Sequence, residues 1–170
     1  MDRAKGTASV RAAKLAASAT IGVISDTHGL LRASAIEALQ GSDLIIHAGD
    51  VGGADILGVL AAIAPVVAVR GNVDHGAWAA ALPESAVISF GTHDIYMRHI
   101  LADLNLDPRA AGFAAVIYGH SHKPDIAEKE GVLYFNPGSA GPRRFNLPAT
   151  VGRLRVYAGR LDPQLIPIRV

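Results

Sequence analysis

The sequence predicts an α/β domain, two β-sheets packed face to face with helices outside, on three observations. Short unbroken apolar runs such as Ile21-Gly22-Val23-Ile24 and Leu44-Ile45-Ile46 need cover on both faces, as strands of parallel-type sheets have. Over residues 21–70 these runs alternate with segments of helical periodicity, the mark of a parallel sheet with helices packed on it. From Ala86 onward strand-like segments follow one another across short Gly-containing turns, so the second half should be mostly antiparallel.

The first strand is Ile21–Ile24, ending in Ser25-Asp26-Thr27-His28-Gly29. Leu31, Ala35, Ile36 and Leu39 recur at helical spacing, and Gly41 closes that helix. Asp43 opens the second strand, Leu44–Ala48, which runs into Gly49-Asp50; Gly52-Gly53 then separates it from a helix over residues 54–63. Pro65 stops that helix and starts the third strand, Val66–Arg70, before Gly71-Asn72. Residues 86–90 and 94–98 read as a hairpin about Gly91-Thr92, and residues 103–112 as helix and loop interrupted by Pro108. Ala115–Tyr118 is a further strand before Gly119-His120-Ser121-His122; residues 124–127 and 132–135 pair about Glu130-Gly131 and lead to Asn136-Pro137-Gly138-Ser139. Two last strands, 150–157 and 161–168, meet at Ala158-Gly159-Arg160.

The 170 residues, half of them hydrophobic, suffice for one domain with an ample core. We divide the chain into a basic, Ala-rich tail over residues 1–19, expected to be flexible, and a single domain over residues 20–170. A net charge of +1 provides no global field for nucleic acid or membranes. Absence of cysteine removes disulfides, thiolate zinc sites and cysteine nucleophiles together, and suits a reducing compartment. The apolar stretch 56–69 is broken by Pro65 and falls short of the ~20 residues of a membrane span. A soluble, cytoplasmic protein is expected, and a homo-oligomer is compatible with the sequence.

The strand ends carry the chemistry. In open α/β sheets, sites lie outside the carboxyl ends of strands, so Asp26, His28, Asp50, Asn72, His120 and His122 should converge, with His99 after the hairpin as a seventh. If the strand end stays near-extended, Asp26 and His28 point the same way, being two apart. Alone, either aspartate reads equally as a helix N-cap, and His47, inside an apolar run, as a hydrogen-bonded core histidine. Together, two carboxylates, four imidazoles and one amide oxygen form a mixed N/O set suited to manganese, iron, zinc, nickel or cobalt. Seven ligands are too many for one ion and enough for two, about 3.5–4 Å apart, if one carboxylate bridges. Two divalent ions against two aspartates leave about +2 with neutral imidazoles. Such a site wants an anion, and a metal-bridging hydroxide suits phosphoester hydrolysis.

Asp26-x-His28, Gly49-Asp50, Gly71-Asn72, His99 and Gly119-His120-x-His122, in this order, resemble the calcineurin-like metallophosphoesterases, most closely their small single-domain bacterial and archaeal phosphodiesterase branch. The resemblance covers residues 20 to 168 and includes Asn136-Pro137-Gly138-Ser139. It implies a four-layer αββα sandwich of two mixed sheets flanked by helices, with a dinuclear centre, manganese first among the metals. One ion would take Asp26, His28, Asp50 and His122; the other Asp50, Asn72, His99 and His120, with Asp50 shared. The chain departs twice: Ile100 and Leu101 stand where many members have Gly then His or Asp, and Val73 stands where larger members have a leaving-group histidine. His75 is the substitute general acid the sequence offers.

Arg143 and Arg144 are either a surface pair or contacts for a substrate phosphate, and Asn136–Ser139 either supports the site or forms a plain turn. The expected function is a metal-dependent phosphodiesterase acting on a small phosphoester. Alternatives are a phosphomonoesterase or nucleotide pyrophosphatase on the same centre, or a protein-binding scaffold, since a retromer subunit shares the family's fold.

Overall fold

Each apolar run is unbroken because its strand divides side chains between two cores. The computed structural model describes residues 8–11 and 18–170. In β2 (Ser18–Ile24) and β3 (Leu44–His47), Ile21, Val23, Leu44 and Ile46 enter the core between the sheets. Their neighbours Ile24 and Ile45 enter a second core under the helices. That alternation is the period-2 geometry of a strand covered on both sides.

Helices α1 (Ala33–Leu39) and α2 (Ala54–Ala61) supply Ala35, Leu39, Ile56 and Leu60 to this second core. They connect β2 to β3 and β3 to β4 (Val66–Ala68), the crossovers that parallel pairing demands. Two late strands, β10 (Thr150–Tyr157) and β11 (Arg160–Pro167), return to this sheet. Its order is β11-β10-β2-β3-β4, with β10 antiparallel to both of its neighbours.

The facing sheet has the order β1-β5-β6-β7-β9-β8. It contains β1 (Ala8–Arg11), β5 (Ser85–Phe90), β6 (His93–Arg98), β7 (Phe113–Ile117), β8 (Asp125–Lys129) and β9 (Val132–Asn136). A one-turn helix, α3 (Ala77–Ala80), precedes β5. Ile88, Ile95, Met97, Ala115, Ile117 and Phe135 meet the first sheet across the sandwich. Phe135 is fully buried and packs against Gly152 of β10, where a Cβ would lie 2.5 Å from its ring. Trimming that ring to alanine removes about 3–5 kcal/mol.

The second half is less antiparallel than expected. β6–β7 and β7–β9 are parallel and form the centre of their sheet, while β5–β6 and β8–β9 are the antiparallel hairpins. Hairpin signals report chain neighbours only; the 99–112 connection instead crosses the outer face of the sheet and delivers β7 alongside β6. There Leu101, Leu104 and Leu106 cover Tyr96, Val116 and Tyr118. This outer layer holds one 3₁₀ turn, Leu101–Asp103, so the helical flank is thin on this side.

Of the tail expected over residues 1–19, residues 1–7 and 12–17 lie outside the described residues. Ala8–Arg11 pair parallel with β5 and so satisfy backbone groups that would otherwise edge the sheet; Ser18 and Ala19 belong to β2. Among the described residues no helix is long and apolar enough to cross a membrane. The carboxyl ends of β2, β3 and β4 meet those of β6, β7 and β9 along one edge of the sandwich, and the site lies there.

Candidate metal centre

Five of the seven expected ligands bend the chain left-handed. Asp26, His28, Asp50, His120 and His122 have φ of 55, 48, 52, 72 and 60°. The near-extended strand end expected for Asp26 and His28 is therefore corrected. The chain turns sharply at each residue, and tertiary contacts rather than strand pleating aim the side chains. Asp and His tolerate this conformation better than most residues, yet each such position costs about 1–3 kcal/mol unless its surroundings enforce it.

The surroundings are backbone hydrogen bonds between neighbouring turns. Asp26 N–H donates to Gly49 O (3.0 Å), His28 N–H to Asp50 O (2.9 Å) and Gly29 N–H to Val51 O (2.9 Å). Gly119 N–H donates to His99 O (3.0 Å), and Ala140 N–H to Ser25 O (3.0 Å). The glycines before the ligands are needed for space. A Cβ on Gly71 would collide with the backbone and carboxylate of Asp50, and one on Gly49 would lie 2.7 Å from His99 Nδ1.

The donor atoms gather in two adjoining groups, Asp26 with His28 and His122, and Asp50 with His99 and His120. In the first, His28 Nε2 and His122 Nε2 are 3.2 Å apart, and Asp26 Oδ1 lies 3.3 Å from His122 Nε2. In the second, Asn72 Oδ1 lies 3.0 Å from both His99 Nε2 and His120 Nδ1. Asp50 Oδ2 stands between the groups, 3.6 Å from His28 Nε2 and 3.1 Å from His99 Nε2. All seven side chains named from the sequence are thus brought together.

Their polar atoms fit cations. Asp26 Oδ2 accepts from Ser25 Oγ–H (2.7 Å) and His120 N–H (3.1 Å), whereas its buried Oδ1 has no hydrogen-bond partner. An orphaned buried carboxylate oxygen is costly, and a divalent ion answers it. His99 Nδ1–H donates to Ala48 O across 2.7 Å, which leaves the Nε2 lone pair facing the site, as metal-binding imidazoles are commonly oriented. Burial alone would raise the Asp26 carboxyl; the neighbouring imidazoles of His122 and His28, the Ser25 hydroxyl and the charge of His99 hold it well below the usual range. Asp50 is likewise held down against burial by His99 and the Val73 N–H. Burial opposes protonation of His99, but Asp50 and Asp26 raise it overall.

Asp26, Asp50, His99 and His122 form a buried floor, while Asn72 and His120 are exposed. The site is open on the Asn72–His120 side.

Several supports were invisible in sequence. The Asp74 carboxylate accepts from the N–H groups of Val51 (3.1 Å), Gly52 (2.9 Å) and Gly71 (2.9 Å), tying the turn after β3 to that after β4. An Asp two residues past Asn72 was the only signal. Asn136 Nδ2–H donates to Gly119 O and Ser121 Oγ (both 3.1 Å), and Ser139 Oγ–H to Asp26 O (2.9 Å). The Asn136–Ser139 turn therefore braces the site. His47 is a core histidine, hydrogen-bonded to Thr27. Exposed His75 lines a cavity shared with Asn72 and His99. Arg143 and Arg144 are exposed beside a recess that His122 also lines.

Two donor clusters at the carboxyl edge of a double α/β sheet define a protein built to hold divalent cations. The calcineurin-like phosphoesterase superfamily domain matches residues 20–159, and the chain belongs to that family. It is 35% identical over 158 residues to a probable metallophosphoesterase of Methanothermobacter thermautotrophicus, covering 86% of this chain and 91% of the relative. The same fold occurs in an archaeal phosphodiesterase (TM-score 0.72, 22% identity, 86% of this chain and 99% of the other). It occurs also in Vacuolar Protein Sorting 29 from Cryptosporidium parvum (TM-score 0.72, 19% identity, 90% and 99%).

Proposed function

We propose that the chain is a phosphodiesterase working on a small phosphoester with two divalent cations, manganese first among them. Asp26, His28, Asp50 and His122 would hold one, and Asp50, Asn72, His99 and His120 the other. The observation that carries this reading is Asp50 Oδ2, within 3.6 Å of a nitrogen from each donor group. Bound there, such a pair supplies Lewis acidity and an activated water for in-line displacement at phosphorus.

The chain's own residues do the rest. Asp26 and Asp50 stay ionised, and His99 is turned by Ala48 so that its lone pair faces inward. The exposed Asn72–His120 side admits the phosphoryl group, with Arg143 and Arg144 as candidate contacts for its oxygens. Val73 follows Asn72, so no imidazole stands there to protonate a leaving group; His75, on the cavity shared with Asn72, is the candidate substitute. Esters whose leaving groups need no proton therefore react best. A cysteine-free chain suits a cytoplasmic setting.

The test is a substrate panel with manganese-loaded enzyme. Activated aryl phosphodiesters should be hydrolysed faster than alkyl monoesters, and the reverse ranking would replace this reading with a phosphomonoesterase. A His75→Ala variant whose pH–rate profile matches the wild type would remove His75 from the mechanism.

A further inference from the structure

Beside Asn72 and His99 opens a cavity of about 610 Å³, between the turn that carries α3 and the residues following β6. Its volume is that of a small-molecule site, more than a phosphoryl group needs. Ala79, Ala80 and Ile100 supply apolar wall; apart from two glycines the remaining lining is polar or charged.

Most of those charges are already answered. Arg70 pairs with Glu84 at 2.9 Å. Asp74 is held by its three backbone N–H groups. Arg98 differs: it is half-buried on the cavity wall, yet its side chain makes no hydrogen bond or ion pair with any described residue, Asp103 on the same wall included. None of its unpaired nitrogens is buried, so the guanidinium keeps its donors accessible to a ligand in the cavity. The planar fork of an arginine matches phosphate or carboxylate oxygens two at a time.

We propose that this cavity receives the ester group that stays on the phosphorus, and that this group is a sugar- or ring-sized moiety ending in a second anion bound by Arg98. The inference rests on the phosphodiesterase reading and names its substrate class. Asn72 and His99 on the lining place the phosphorus beside the cavity, and Arg98 on the same lining would receive the second phosphate or carboxylate.

The test uses the full-length, manganese-loaded enzyme and three aryl phosphodiesters with the same leaving group. Their second ester groups end in an alcohol, a carboxylate or a phosphate. In the wild type KM should be at least about tenfold lower for one or both anion-ended esters than for the alcohol-ended one, as a charge-assisted contact requires. The ratio should collapse towards one in Arg98→Gln and be partly retained in Arg98→Lys, with the ratio of kcat values little moved. Whichever anion shows the larger ratio is the one the subsite fits. Calorimetry gives a readout without turnover: the anion-ended phosphomonoester product should bind Arg98→Gln at least about tenfold more weakly than wild type. A wild-type ratio near one, or the same ratio in Arg98→Gln, overturns the subsite and leaves the phosphodiesterase standing. No hydrolysis of any of the three esters overturns the phosphodiesterase reading, and this inference with it.

Discussion

His47 Nε2 and Thr27 Oγ1 lie 2.9 Å apart in the buried interior, and the direction of that hydrogen bond is decided by its neighbours. Gly49 N–H can only donate, and it donates to His47 Nδ1 at 3.2 Å. Nδ1 therefore carries the lone pair and Nε2 the proton, which goes to Thr27 Oγ1; Thr27 gives its own to Val51 O at 2.7 Å. One neutral imidazole thus fastens the turn bearing Asp26 and His28 to the turn bearing Asp50.

That arrangement has a pH signature. Burial pushes His47 down to about 4 from 6.5. The native state resists the proton that the unfolded chain accepts, so stability is intact above pH 6.5 and falls between 6.5 and 4, by at most about 3 kcal/mol. Asp26 and Asp50 are held low, so their contribution is lost only on further acidification; the raised His99 loses its contribution as pH climbs above 6.5. Urea unfolding of the metal-free protein at pH 7.5 and 4.5 should show a smaller drop in His47→Asn than in wild type. Equal drops would assign the acid sensitivity elsewhere.

Asp74→Asn should be disruptive although Asp74 is no ligand. An amide has one acceptor oxygen for three N–H donors and turns its own NH₂ towards one of them. A loss of about 2–4 kcal/mol in urea unfolding is expected, together with weaker manganese binding by titration. Unchanged metal affinity would show that the brace stabilises the fold without positioning Asp50.

Gly71→Ala tests close approach rather than backbone freedom, since its added methyl would occupy space held by Asp50. Relief requires the turn to shift, at about 1–3 kcal/mol, and displaces the carboxylate between the two donor groups. Metal content after purification without chelator should fall below that of wild type.

Metal counting separates an enzyme from a scaffold. About two ions per chain are expected in wild type, fewer than two in Asp50→Asn, and about one in His122→Ala, which leaves the Asp50, His99 and His120 group complete. Chelation should lower Tm by roughly 5–10 °C when metal is held near a hundred times its Kd. A chain that binds no metal would favour a docking role for the fold.

By itself the sequence determined which apolar segments of residues 20–168 are strands and which polar residues terminate the site-bearing ones. The strand segments Ile21–Ile24, Leu44–Ala48 and Ala115–Tyr118 are legible because burial on both faces demands unbroken apolar runs, and a polar ligand at the end of such a run stands out locally. Tertiary structure alone decided that β6, β7 and β9 run parallel and that Ala8–Arg11 joins the sheet edge. It also decided that five ligands turn left-handed, and that Asp74 and His47 hold those turns in place. These features depend on partners 18 or more residues away. Periodicity and residue type report what a segment needs, and only the folded chain shows which distant group supplies it.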